Sequence, residues 1–171
     1  ARTDWFIGIA KYGRELGVDL IMMGDDVAYK ERTFISAEDF DELVIPQYKR
    51  ICDSVDIPVI WHSDGYVSPL LEGAVRAGFA GIHALEPAAG VDMGQVKRDF
   101  GDKLVLMGNV DVTDVLCQED PEVVQRDVDR CMAEAKKGGG FILSDSNSLH
   151  AACKATAVRE MFRYGREAGA Y

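Results

Sequence analysis

Five times along the chain, a glycine or short polar turn leads into four to six apolar residues and then into a polar cluster. The instances are "GVDLIMMGDD", "DIPVIWHSDG", "GFAGIHALEP", "DKLVLMGNVD" and "GGGFILSDSN". Within each, the apolar run is continuous. A strand with one wet face alternates apolar and polar, whereas a strand covered on both faces is apolar throughout, as in the parallel sheets of α/β proteins. Each run therefore predicts a buried parallel strand, and each polar cluster marks its C-terminal end.

The segments between the runs have helical periodicity. The opening "ARTDWFIGIAKYGRELGVD" sets Trp5, Ile9 and Leu16 on one helical face. In "SAEDFDELVIPQYKRICDSV", Ser36 is the expected N-cap with Asp39 three residues on, and Pro46 should kink or split the helix. "SPLLEGAVRAG" reads as a helix from a Ser68 cap and Pro69 to a stop at Gly78. "MGQVKRDFG" is a short helix. In "DPEVVQRDVDRCMAEAKKGGG", Asp120 caps, Pro121 opens, and Lys136 and Lys137 are expected in the last turn, where cations suit the helix dipole. "KATAVREMFRYGREAG" is the last helix.

Strict alternation of strand and helix means a parallel sheet with right-handed crossovers. No GxGxxG opens a helix, which removes the main support for a dinucleotide-binding fold. The expected fold is α/β: a single domain over residues 1–171, forming a partial (β/α)8 TIM barrel of about five parallel strands alternating with helices. The first residue is not Met and the helical pattern starts at once, so the chain is expected to begin inside a larger domain.

Composition adds exclusions. The chain has 171 residues and a net charge of −10, which argues against binding the phosphates of nucleic acid. No apolar run approaches the roughly 20 residues of a spanning helix, so no membrane partner is expected. Cys52, Cys117, Cys131 and Cys153 form no CxxC motif. Reduced thiols in a cytoplasmic protein are the default expectation. Cys52 and Cys131 fall in helical patterns and read as small core residues.

In barrels the site is built from residues at the C-terminal strand ends. The first strand ends in Asp25 and Asp26, adjacent carboxylates that need a balancing cation or share a proton carrier's role, unless one simply caps a loop. The second ends in His62-x-Asp64, whose spacing puts both groups on one side of the strand. The pair can reach one metal ion, or be a hydrogen-bonded histidine beside a capping aspartate. The third carries His83, read as a core histidine, and Glu86, the better functional candidate. The fourth supplies Asn109 and Asp111, and the fifth Ser144, Asp145, Ser146 and Asn147, followed by His150. Asp25, Asp26, Glu86 and Asp111 are the candidate catalytic groups. Asn109, Ser144, Ser146, Asn147 and His150 are the candidate substrate-binding groups.

These strand ends, with "FDELVIPQYKRI", "VIWHSDG", "GIHALEPAAGVDMGQ" and above all "KRDFGDKLVLMGNVD", resemble the C-terminal half of the uroporphyrinogen decarboxylase superfamily. The resemblance implies an eight-stranded barrel of which about three strands precede this chain. It also implies one of two activities. In the decarboxylases, the last loop carries Gly-His-Gly and the N-terminal half supplies arginines and a catalytic aspartate; here the loop reads "SDSNSL". In the zinc- and corrinoid-dependent methyltransferases, a His-x-Cys and a later Cys hold zinc. His62 matches that histidine, Asp64 replaces the first cysteine, and Asp145 or Ser146 falls at the second.

The resemblance therefore favours the methyltransferase-like branch, with His62, Asp64 and Asp145 (or Glu86) holding a metal, zinc being the ion it implies, that polarises a small-molecule substrate. A corrinoid protein is the implied partner. The alternatives are a cofactor-free uroporphyrinogen decarboxylase of porphyrin biosynthesis, although no arginine stands in the strand-end motifs, and an inactive barrel fragment. Exposed strand edges would make the chain a homo-oligomer.

Overall fold

A computed structural model describes residues 1–170. Among them, helix α1 (Arg2–Glu15) precedes strand β1 (Ile21–Gly24). A short helix α2 (Ala37–Asp39) runs through a π-helical turn (Phe40–Val44) into α3 (Ile45–Cys52). Then follow β2 (Val59–Ser63), α4 (Leu71–Ala77), β3 (Gly81–Ala84), α5 (Met93–Phe100), β4 (Val105–Val110), α6 (Pro121–Ala135), β5 (Phe141–Asp145) and α7 (Ala155–Gly169). The described strands form one open parallel sheet in chain order, β1-β2-β3-β4-β5. No helix among the described residues is long and apolar enough to cross a membrane.

Register sorts the side chains into two faces. Met23, Trp61, Ile82, Leu106 and Phe141 align across the sheet. The first four are buried in one core with Phe40 of the π-helical turn, Tyr48 and Ile51 of α3, Leu71 and Ala74 of α4, and Val96 of α5. Trp61 stacks between Phe40 and Phe79, with centroids 5.8 and 6.0 Å away. The next row, Gly24, His62, His83, Met107 and Ile142, leaves the opposite face. Met22 and Ile142 on that face are exposed. A second core joins α6 to α7 through Val124, Val128, Cys131, Ala157 and Met161. Cys52 and Cys131 are packed as expected, and burial pushes their thiols up to about 12 and about 11.

Several local expectations hold. Ser36 Oγ accepts from Asp39 N at 3.0 Å, and Asp120 Oδ1 accepts from Glu122 N at 2.9 Å. Pro46 has no N–H to return to the Glu42 carbonyl, and the helix is split into its π and α segments just before it. Gly78 ends α4 at φ 90°, a left-handed cap that disfavours a side chain.

Others need correction. Trp5, Ile9 and Leu16 share a face, but it is the exposed one; Phe6, Ile7 and Ala10 pack inward. Ser68 does not cap: Ser68–Leu70 is a 3-10 turn entered from Val67. Lys136 and Lys137 lie past α6, and Lys136 Nζ donates to the Ala168 carbonyl at 2.9 Å, tying α6 to the end of α7.

Candidate metal site at the strand ends

His62 and His83 are register partners on β2 and β3, so their side chains leave the sheet on one side. Their Nδ1 atoms lie 2.7 Å apart and their rings stack at 4.9 Å. One nitrogen must donate and the other accept. The far side of His83 decides which. Its Nε2 lies 3.2 Å from the Asp145 carbonyl oxygen and 3.0 Å from Ser144 Oγ. A carbonyl only accepts, and the Ser144 hydroxyl donates to that same carbonyl at 2.9 Å. His83 Nε2 therefore carries the hydrogen, His83 Nδ1 accepts, and His62 donates from Nδ1. Neutral His62 is left with an unshared electron pair on Nε2.

That nitrogen faces two carboxylates, Asp64 Oδ1 at 3.5 Å and Asp26 Oδ1 at 3.9 Å. Asp64 Oδ1 is buried and has no hydrogen-bond partner. Asp26 also accepts from Asp64 N at 3.1 Å, which fixes the two carboxylates together. Burial holds the Asp64 carboxyl above its usual range; repulsion from Asp26 and Glu86 adds to this and the His62 attraction opposes it. Burial likewise holds His83 below the usual histidine value. With His62 neutral, three electron-pair donors converge on one point, and they repel unless a cation lies among them.

The residues fit a divalent cation. One ligand atom each from Asp26, His62 and Asp64 lies within 4.8 Å of the others. Nitrogen and oxygen ligands around a tetrahedral ion stand about 3.3 Å apart, so small side-chain movements close the set. A metal-bound imidazole ordinarily passes its second N–H to a fixed acceptor, and His83 is that acceptor.

Glu86 sits beside this cluster rather than in it. It is buried; Oε2 accepts from Gly65 N at 3.0 Å, and Oε1 lies 3.9 Å from Lys30 Nζ. The turn that delivers Glu86 passes through Leu85 at φ 54°, a left-handed conformation costly for a branched side chain. The Leu85 carbonyl is held by Asn109 Nδ2 at 2.7 Å. Ser144 orders His83, and Asn147 lies beside Asp64.

Five sequence candidates point elsewhere. Asp25 turns toward the helices, where Arg2 and Tyr48 donate to its carboxylate at 2.9 and 3.0 Å. Asp111 is used locally: Oδ1 accepts from Thr113 N and Asp114 N at 2.6 and 2.8 Å. Asn109 is fully buried against α6, with Arg130 Nη1 at 3.1 Å, and it braces the Glu86 turn through the Leu85 carbonyl. Ser146 is buried and accepts from Val112 N at 3.3 Å. His150 lies with Cys117 and Cys153, away from the Asp26 cluster. Asp145 lies outside the group formed by Asp26, His62 and Asp64: its carboxylate is 3.9 Å from His83 Nε2. His83 is buried, as expected of a core histidine, but sequence reasoning missed its pairing with His62, and it missed Lys30 altogether. The signal for His83 was its alignment with His62 once "VIWHS" and "GIHA" are laid side by side as neighbouring strands.

The uroporphyrinogen decarboxylase (URO-D) family profile matches residues 1–168. The chain belongs to this family. It is 25% identical over 134 residues to the methylated-thiol–coenzyme M methyltransferase of Methanosarcina mazei, covering 78% of this chain and 35% of that protein. It is 31% identical over 106 residues to the uroporphyrinogen decarboxylase of Hordeum vulgare, covering 59% of this chain and 30% of that one. A solved structure of a methyltransferase from Methanosarcina mazei superposes with a TM-score of 0.82 at 21% identity, covering 96% of this chain and 47% of that one. The chain thus spans about a third of the length of the curated relatives it matches, and its open sheet of alternating strands and helices is part of this family's barrel fold.

Proposed function

We propose that this chain carries the metal-holding part of a methyltransferase-like enzyme of the uroporphyrinogen decarboxylase family. The observation that supports this reading is the convergence of His62 Nε2, Asp26 and the unpartnered Asp64 Oδ1 on one point. Asp26, His62 and Asp64 would hold the ion, with zinc the expected metal. When bound, it supplies Lewis acidity that polarises a substrate's heteroatom.

The chain's own residues do the rest. His83 fixes the His62 tautomer, and Ser144 with the Asp145 carbonyl fixes His83. Glu86 secures the Gly65 backbone beside Asp64, and Lys30 offsets part of the acidic charge. The relative named for a methylated thiol supports a small methylated compound as substrate. A corrinoid protein docking over the strand ends is the proposed methyl-carrying partner.

Metal analysis of the purified chain, with His62→Ala as control, tests the reading. Bound metal lost in His62→Ala is expected. A metal content that this change does not lower, or no metal uptake at the Asp26 cluster at all, would overturn it. The Hordeum vulgare relative supports a second reading, decarboxylation of uroporphyrinogen. Coproporphyrinogen formation by the gene product, unaffected by His62→Ala, would favour it instead.

A further inference from the structure

Outside the Asp26 cluster, the described residues contain a second group of metal-binding side chains. Cys117, in the segment between β4 and α6, meets His150 and Cys153, both between β5 and α7. One ligand atom from each lies within 4.8 Å of the other two. The two cysteines are half-buried and the histidine is exposed, so the group is open to solvent on one side.

All three side chains converge on one atom, the Val112 carbonyl oxygen. His150 Nε2 is 3.1 Å from it, Cys117 Sγ 3.3 Å and Cys153 Sγ 3.7 Å. A carbonyl oxygen has two lone pairs, so three donors exceed what it can accept. The loops that carry them are already joined: Lys154 N donates to the Leu116 carbonyl at 2.7 Å, and Cys153 N to the His150 carbonyl at 2.9 Å. The ligands are held in place by backbone that needs no metal to form.

We propose that Cys117, His150 and Cys153 form a second cation site, for a borderline-soft divalent ion of the zinc class. Two thiolates and an imidazole are the donor set such ions prefer over the hard, oxygen-seeking cations. Around a tetrahedral zinc, sulfur and nitrogen ligands stand about 3.5–3.8 Å apart, a contraction that side-chain rotation supplies. Binding releases the two thiol protons to solvent, the exposed His150 exchanges its Nε2 proton through solvent for one on Nδ1, and two metal–sulfur bonds and one metal–nitrogen bond form. Solvent on the His150 side or the Val112 carbonyl completes the set. The ion clips the loop after β4 to the loop after β5, three residues beyond the Asn147 that lies beside Asp64. A simple redox pair would explain the two cysteines but not the histidine placed with them.

Cobalt(II) distinguishes this site from the Asp26 cluster, because only thiolate ligands produce the intense sulfur-to-cobalt absorption in the near ultraviolet. Co2+ is added to the reduced full chain. The expected result is a thiolate band that saturates at one ion per chain and that Zn2+ displaces. Cys117→Ser and Cys153→Ser should each abolish most of it, the exposed His150→Gln should weaken Co2+ binding at least tenfold, and His62→Ala should leave the band unchanged. If a serine variant fails to fold, as read by circular dichroism, His150→Gln alone decides. A reduced chain that gives no band, a band indifferent to His150→Gln, or one lost in His62→Ala would each overturn the proposal.

Discussion

His62 and His83 meet Nδ1 to Nδ1 at 2.7 Å, and through this contact the Asp145 carbonyl dictates which nitrogen His62 turns toward Asp26 and Asp64. His83 is thus a positioning residue. His83→Ala should weaken metal binding at the Asp26 cluster about 10–100-fold, the usual effect of losing such a partner. His83→Gln, whose amide oxygen can still accept from His62, should restore part of that loss. Competition with a chromophoric chelator measures both.

Asp64 predicts a conflict between stability and binding. Its carboxyl is held above the ordinary value of 3.8, first by burial. A carboxyl that keeps its proton more tightly when folded lends stability that is present below the ordinary value and is lost as pH rises through the raised one. Asp64→Asn never ionises, so it should unfold at a higher temperature than the parent chain at neutral pH. The gap should close below about pH 4, near the unfolded carboxyl's own range. The same variant should bind metal poorly at the Asp26 cluster.

His83 works in the opposite direction. Burial lowers its value below the ordinary 6.5, so the unfolded chain takes up a proton that the folded chain refuses. Stability is full above pH 6.5 and is lost as pH falls beneath it. Denaturant titrations across pH 5–7.5 should show this slope in the parent chain, and His83→Gln should flatten it.

Gly65 has φ 83°, and a Cβ there would strike the Tyr29 carbonyl. Gly65→Ala should cost more than about 1–2 kcal/mol, the penalty of the left-handed conformation before any clash is counted. It should also move Gly65 N off Glu86. Chemical denaturation reads the first effect, and loss of metal affinity the second.

The sheet is open at β1 and β5, and Met22 and Ile142 stand exposed on the face that carries His62. Bare parallel edges beside apolar surface favour association. In light scattering the chain should run larger than its 18.8 kDa mass. A monodisperse monomer is the outcome that contradicts this.

The strands and helices were legible in the sequence because their causes are local. A strand buried on both faces has an unbroken apolar run, and "PVIW" or "GFIL" shows it without reference to neighbours. Ser36, Asp120 and Gly78 mark helix ends because each satisfies or releases backbone groups within a few residues of itself. His62, Asp64 and Asp26 were also visible as polar groups at strand ends.

What each polar group faces was decided by tertiary structure alone. Asp25 and Asp26 are adjacent in sequence, yet one binds Tyr48 under the helices and the other joins His62. Asp111 and Asn109 share the spacing of His62 and Asp64 but spend their hydrogen bonds on a turn and on a neighbouring strand exit. His83 reads as core until the register sets it against His62. Cys117, His150 and Cys153 meet only because two loops lie side by side. Apolar periodicity records whether a position is buried. The partner it meets there depends on strand register, on the side of the pleat it leaves, and on how neighbouring loops are joined, and these are set by contacts between residues far apart in the chain.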